Sequence, residues 1–222
     1  MVTRGVREFC DRFDRAQVLG TTPGQNGWTV KDTSSEGIPT YLVTAAGMKL
    51  TLASTSEAEI VTMAQNDVLV YPLAKLRLFE FIASVAAVDA VTTIVMGLAS
   101  AQADDVDDLA TALLFKIDGT VSLSAVVAES DDGAIDLNDK PTGVSLGSVP
   151  KRFTFDFEEG LSDVKLYIDG ERVAANVKFD LSHAAASQGV QPFFQIQKTS
   201  GTGVPALTIR EVRATYNYAT GV

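Results

Sequence analysis

Apolar and polar residues alternate with period two along much of this chain, and the 3.6-residue period of an amphipathic helix hardly appears. In Arg152–Phe157, Phe153, Phe155 and Phe157 alternate with Arg152, Thr154 and Asp156, the pattern of a strand with one face in a core. Glu158–Ser162 reads as a turn, after which Val164, Leu166 and Ile168 alternate with Lys165, Tyr167 and Asp169. Asp169–Gly170 supplies the positive-φ pair of a tight turn, and Glu171–Ala174 leads away from it. Residues 152–174 are therefore expected as a strand followed by a hairpin. The same logic marks Leu113, Phe115 and Ile117, a turn at Asp118–Gly119, and a return along Val121, Leu123, Ala125 and Val127.

Lys75–Val85 and Thr92–Ala99 are near-continuous apolar runs, suited to strands buried on both faces. Thr40–Ala53, broken at Ala46–Gly47, predicts a further strand pair, and Pro192–Gln197 and Leu207–Tyr216 predict two late strands around a turn-rich loop, Lys198–Pro205. Phe81–Ala101 has the hydropathy of a membrane span, but Asp89 sits in its middle beside Thr92, Thr93 and Gly97. An ionised aspartate at a bilayer centre costs several kcal/mol. The stretch reads instead as two buried strands around Val88–Asp89–Ala90. Only Ser182–Ser187 could form a helical turn. About ten to twelve short strands without an amphipathic helix or a linker predict one all-β domain over residues 1–222, a two-sheet antiparallel sandwich. Extended arms at 1–8 and 216–222 are expected to be free to reach a neighbour.

The 222 residues are 46% hydrophobic, and a chain of this size buries roughly 70% of its unfolded surface without staples. Cys10 is the single cysteine, so no intrachain disulfide forms, and it is expected as a small buried or half-buried apolar residue. A net charge of −10 makes nucleic acid and anionic membrane poor partners. The opening Met1–Asp14 is charged and lacks the apolar core of a signal peptide.

Two stretches carry a resemblance. Phe9–Arg15 followed by Gly27-Trp28-Thr29-Val30 resembles the opening strand of concanavalin A-like lectin/glucanase domains. Lys151–Phe157, then Val164-Lys-Leu-Tyr-Ile-Asp-Gly-Glu-Arg-Val173, resembles the strand–hairpin of laminin-G-like jelly rolls, and Leu207–Tyr216 sits where such folds return a final strand. The resemblance implies a concanavalin A-like jelly roll, a fold shared by lectins, glycosidases, adhesion modules and structural proteins of tailed phages, so it leaves function open. Its enzymatic members carry Glu-x-Asp-x-x-Glu or Glu-x-Asp-x-Glu on one strand. Here Glu57 and Glu59 lack the intervening Asp, and Glu158 and Glu159 are adjacent and would face opposite ways on a strand. The expectation is accordingly a protein that is not an enzyme.

His183, the single histidine, is expected as a surface loop residue, and with one His and one Cys the usual N/S zinc site is not expected. The resemblance brings calcium into view. Of the acidic groups, Asp104-Asp105-Val106-Asp107-Asp108 is the more suitable and Asp131–Asp139 the less, but neither matches an EF-hand loop. Both are expected to be solvated acidic loops. Trp28 is expected to cover an edge of the core. No catalytic, cofactor-binding or metal residue is assigned, and no cofactor is expected. The function expected is a non-enzymatic structural or accessory protein of a tailed-phage virion, either a capsid decoration protein or a fibre or tail component. It would be made in the host cytoplasm and would assemble with copies of itself and other virion proteins. The alternative is a carbohydrate-binding, lectin-like adhesion module with a glycan as its partner.

Overall fold

The computed structural model describes residues 4–14, 23, 27–68, 71–184 and 188–219. The ends of the two expected arms, 1–3 and 220–222, and residues 185–187 of the expected helical turn lie outside the described residues. The strands are β1 (Arg4–Asp11), β2 (Thr29–Asp32), β3 (Thr40–Thr44), β4 (Gly47–Thr51), β5 (Glu59–Ala64), β6 (Tyr71–Pro72), β7 (Leu76–Ala86) and β8 (Thr92–Ala99). They continue with β9 (Ala112–Asp118), β10 (Ala125–Asp131), β11 (Asp136–Ser145), β12 (Lys151–Asp156), β13 (Lys165–Ile168), β14 (Glu171–Val173), β15 (Gly189–Lys198) and β16 (Ala206–Ala219). Three short 3-10 turns, at Leu73–Lys75, Val106–Asp108 and Leu161–Asp163, are the helical elements among the described residues. No helix there is long and apolar enough to cross a membrane.

The strands form two antiparallel sheets. The first runs β14-β13-β12-β7-β16-β4-β3, with β1 also on β16; the second runs β11-β10-β9-β8-β15-β5-β2, with β6 also on β15. The chain therefore folds as an all-β, two-sheet antiparallel jelly-roll sandwich. Phenylalanines from both sheets build its centre. Phe81 stacks on Phe153 of the next strand at 4.9 Å between ring centroids, and Phe115 of the second sheet stacks on Phe155 at 5.1 Å. Phe194 meets Phe81 edge-on at 5.3 Å. Such offset and T-shaped contacts add about 0.5–1.5 kcal/mol each beyond the area they bury.

The hairpin β13–β14 forms as the sequence predicts. Ile168 pairs with Glu171 across a two-residue turn, and Asp169 and Gly170 take φ of 53° and 83°. The Asp118–Gly119 hairpin does not form. β9 and β10 pair only from Ala112/Asp131 to Lys116/Val127, and residues 119–124 make a longer loop. Gly119 lies in a turn closed by the Val121 N–H on the Asp118 carbonyl, but it does not join two paired strands; its own N–H donates to the Thr92 carbonyl, and a Cβ there would lie 2.0 Å from the Asp89 carbonyl oxygen. The return strand is consequently one residue out of the expected phase. Val126 and Ala128 face the core while Val121 is 83% exposed. Cys10 also departs from expectation. It is exposed, because β1 alternates Phe9 and Asp11 inward and Cys10 outward.

Arg4–Glu8, within the expected first arm, pair with Thr215–Ala219 of β16.

Candidate functional site

Alternate residues of β8, β9, β10 and β15 point away from the sandwich core and make the outer face of the second sheet. Val95, Ala99, Ala112, Leu114 and Phe193 lie there under Leu109, forming a small second core separate from the first. The loop that supplies Leu109, residues 100–111, lies across the sheet and is pinned at several points. Ser100 N–H donates to the Thr111 carbonyl at 2.8 Å, Gln195 Nε2 donates to the Ala103 carbonyl at 2.9 Å, and Lys31 pairs with Asp104 at 3.0 Å. Asp105 accepts from the Asp107 N–H at 3.1 Å. Asp104 and Asp105 are thus spent separately on a salt bridge and a turn.

Beyond this loop the face is polar. Lys116 Nζ lies 2.7 Å from Glu129 Oε1 and 3.2 Å from Asp139 Oδ1. A β-bulge makes this possible. Ala128 pairs with Lys140 and Ser130 with Leu137, so Glu129 alone is opposed by both Asn138 and Asp139. Asp139 takes a left-handed φ of 53°, which aspartate tolerates better than most residues. Bulges commonly re-aim a side chain beside a functional site.

Glu129 lines a small depression, of about 50 Å³, with Asp107, Ser130, Asp131, Asp136 and Asn138. Burial raises the Glu129 carboxyl above the usual carboxylate range; Lys116 works against that shift and Asp139 adds to it. Burial alone would lower Lys116, but its bonds to Glu129 and Asp139 outweigh that and raise it. Two carboxyl groups on one ammonium give a compact cluster of hydrogen-bond donors and acceptors.

Of the residues considered from the sequence, Asp107, Asp131 and Asp136 line the depression and Asp139 joins the cluster, while the others fall elsewhere. Trp28 is fully buried, and its Nε1–H donates to Asp11 at 2.9 Å while its ring packs 5.5 Å from Phe13. Glu59 is buried opposite Lys198, at 3.7 Å, with both side chains fully enclosed. Glu158 lies in a turn and pairs with Arg77. His183 is half-exposed in a loop, but its Nδ1 sits 3.0 Å from Asp132, a carboxylate with no solvent exposure. Sequence reasoning placed Asp139 only in a solvated acidic loop and missed Lys116 and Glu129, because only the bulge brings Asp139 beside Glu129. The one legible signal was that Lys116 and Glu129 interrupt two otherwise apolar strands.

No family model and no curated protein matches the sequence. Solved structures do match over nearly the whole chain. One, described with endo-acting O-glycanases of the human gut microbiota that initiate mucin breakdown, has a TM-score of 0.63 at 10% identity over 94% of this chain and 98% of its own. A Bacillus licheniformis β-glucanase has a TM-score of 0.62 at 15% identity over 93% and 97%. The carbohydrate recognition domain of Emp46p, in a potassium-bound form, has a TM-score of 0.56 at 13% identity over 88% and 89%. The fold is the concanavalin A-like jelly roll. At these identities the likeness establishes architecture, that of carbohydrate-binding and glycoside-hydrolase domains.

The expectation that the protein is not an enzyme is corrected here. Several chains of this architecture are glycoside hydrolases or glucanases. A missing single-strand motif does not exclude carboxylates brought together from different segments, as Glu129 of β10 is beside Asp107 and Asp136.

Proposed function

We propose that this protein engages a carbohydrate at the depression beside Glu129, on the outer face of the second sheet. The observation that carries the reading is the Lys116–Glu129–Asp139 cluster. It places a buried carboxyl group, paired with a lysine, in the wall of a surface depression, in a fold shared with carbohydrate-binding and glucan-hydrolysing proteins. Glu129, Asp131 and Asp136 offer carboxyl oxygens, and Asn138 an amide, to the hydroxyls of a sugar. Glycoside hydrolysis uses two carboxyl groups roughly 5–10 Å apart with the sugar between them. Glu129 and Asp139 share one ammonium, which leaves no room for a sugar ring between them. A hydrolytic partner for Glu129 would therefore come from Asp107, Asp131 or Asp136 across the depression.

The test is retention on immobilised β-glucan and mucin O-glycans, together with release of reducing ends, for the wild type and Glu129→Gln. Retention or turnover that Glu129→Gln removes supports the reading. A wild type that neither binds nor cleaves any of these glycans refutes it.

A second reading is assembly into a tailed-phage virion, as a capsid decoration or a fibre or tail component built from several copies with other virion proteins. One feature favours it. Asn217–Ala219 pair with β1 alone, past the end of β7, and the outer edge of β1 has no strand partner among the described residues. A strand edge without a strand partner among the described residues suits strand addition by a second copy. Sedimentation as an oligomer that co-purifies with particles would support this reading; a monomer that never does so would remove it.

A further inference from the structure

From the cluster of Asp132, Asp180 and His183 we infer a divalent transition-metal site, distinct from the depression beside Glu129. One ligand atom from each residue lies within 4.8 Å of the others, and His183 Nδ1 is already 3.0 Å from Asp132 Oδ2. At zinc–nitrogen and zinc–oxygen distances, tetrahedral ligand atoms stand about 3.4 Å apart, so closing the set requires movements of only about 1–1.5 Å.

The protein holds the two carboxylates in place without the imidazole. Asp132 Oδ1 accepts from the N–H groups of Ala134 and Ile135 at 3.1 and 2.8 Å, and Oδ2 accepts from the N–H of His183 at 3.0 Å. Asp180 Oδ1 accepts from the Ser182 N–H at 2.9 Å and its hydroxyl at 2.6 Å. Hydrogen bonds of this kind orient metal ligands and keep them ionised. The two carboxylates offer oxygen ligands and the imidazole a ring nitrogen.

One nitrogen and two carboxylates favour a first-row ion such as Zn²⁺ over Ca²⁺, which takes oxygen ligands only. The His183 side chain is 50% exposed, so water can complete the coordination shell. The competitor is Lys178, whose Nζ pairs with Asp180 Oδ2 at 3.2 Å in an exposed position and is free to swing away. A bound ion would tie the β10–β11 turn, which carries Asp132, to the segment after β14, which carries Asp180 and His183.

The experiment uses the full chain without a histidine tag and zinc chloride as the probe. Calorimetry and competition with a fluorescent zinc chelator should give one ion per chain, and zinc should raise the melting temperature until EDTA reverses it. Because the chain has one histidine, its imidazole proton resonances report the site directly and should shift or broaden on titration. His183→Gln and Asp180→Asn should each lower affinity at least tenfold while leaving the apo circular dichroism unchanged. Calcium should produce no equivalent shift. Wild-type protein that binds no stoichiometric zinc overturns the proposal, as does binding that His183→Gln leaves unchanged.

Discussion

Lys198→Met tests how the loop end of the sandwich is held. Lys198 and Glu59 face each other at 3.7 Å with neither side chain exposed. The ammonium also donates to the carbonyls of Ala53 at 2.5 Å, Thr55 at 2.7 Å and Gly203 at 3.2 Å, while Glu59 accepts from the Ala53 N–H at 2.7 Å and from the Thr55 hydroxyl. One cation thus ties β15 to the loops after β4 and before β16. Methionine keeps most of the volume but leaves the carboxylate buried without its counter-charge and three carbonyls without a donor. Breaking a buried pair in this way costs about 3–5 kcal/mol. For a chain of this length each kcal/mol lowers the melting temperature by about 2–4 °C, so a drop of roughly 10 °C is expected. Replacing both partners, Glu59→Gln with Lys198→Met, removes the stranded charge and should restore part of the loss, giving a coupling of about 2 kcal/mol. Urea unfolding followed through Trp28, the only tryptophan and fully buried, measures all four species. A Lys198→Met protein within 1 kcal/mol of wild type would refute the reasoning, as would a double variant whose cost is the sum of the two singles.

Lys116→Met removes the cation that holds Glu129 down, so the Glu129 carboxyl should titrate higher than in the wild type, read by carbon-13 NMR of its carboxyl; an unmoved titration would contradict the assigned contact. Because Glu129 is raised, the folded state keeps its proton longer than the unfolded one, and the stability this gives is present at low pH and lost as pH rises through the folded value. Glu129→Gln should remove that loss from a plot of unfolding free energy against pH. Asp180 and Asp132 have the opposite sign: their lowered values stabilise the fold above about pH 4, and this is lost as pH falls toward about 2. Asp180→Asn should flatten that acid limb in thermal melts. Two glycines should separate steric from conformational cost. Gly170→Ala meets open space and should cost about 1 kcal/mol for its left-handed φ, whereas Gly97→Ala would place a Cβ 2.2 Å from the Leu113 carbonyl oxygen and should prevent normal folding, as soluble yield and circular dichroism will show.

The frame of the fold was legible because its signals are local. Phe153, Phe155 and Phe157 announce the inner face of β12 through alternation alone, and Asp169–Gly170 fixes a two-residue turn whose φ values few other pairs accept. Asp118–Gly119 carries the same letters and does something else, because its glycine is required by the backbone of Asp89, about thirty residues earlier. Val121 and Leu123 misled for a related reason: they are apolar but exposed loop residues, and they set a false phase for β10. The site depends on still longer reach. Asp139 meets Glu129 only because β11 inserts a residue opposite it, and Asp132 meets His183 across 51 positions. No alternation or spacing marks either pair. The absence of a carboxylate motif on one strand therefore said little about carboxylates gathered from two.

The central claim is that a carbohydrate is engaged at the outer face of the second sheet, and amide chemical-shift mapping tests it most directly. Titrating nitrogen-15-labelled protein with soluble β-glucan or mucin O-glycan fragments should perturb Lys116, Glu129, Asp131, Asp136, Asn138 and Asp139 together, and Glu129→Gln should abolish the response. Saturable shifts confined to any other surface, or none with any fragment, would contradict the account.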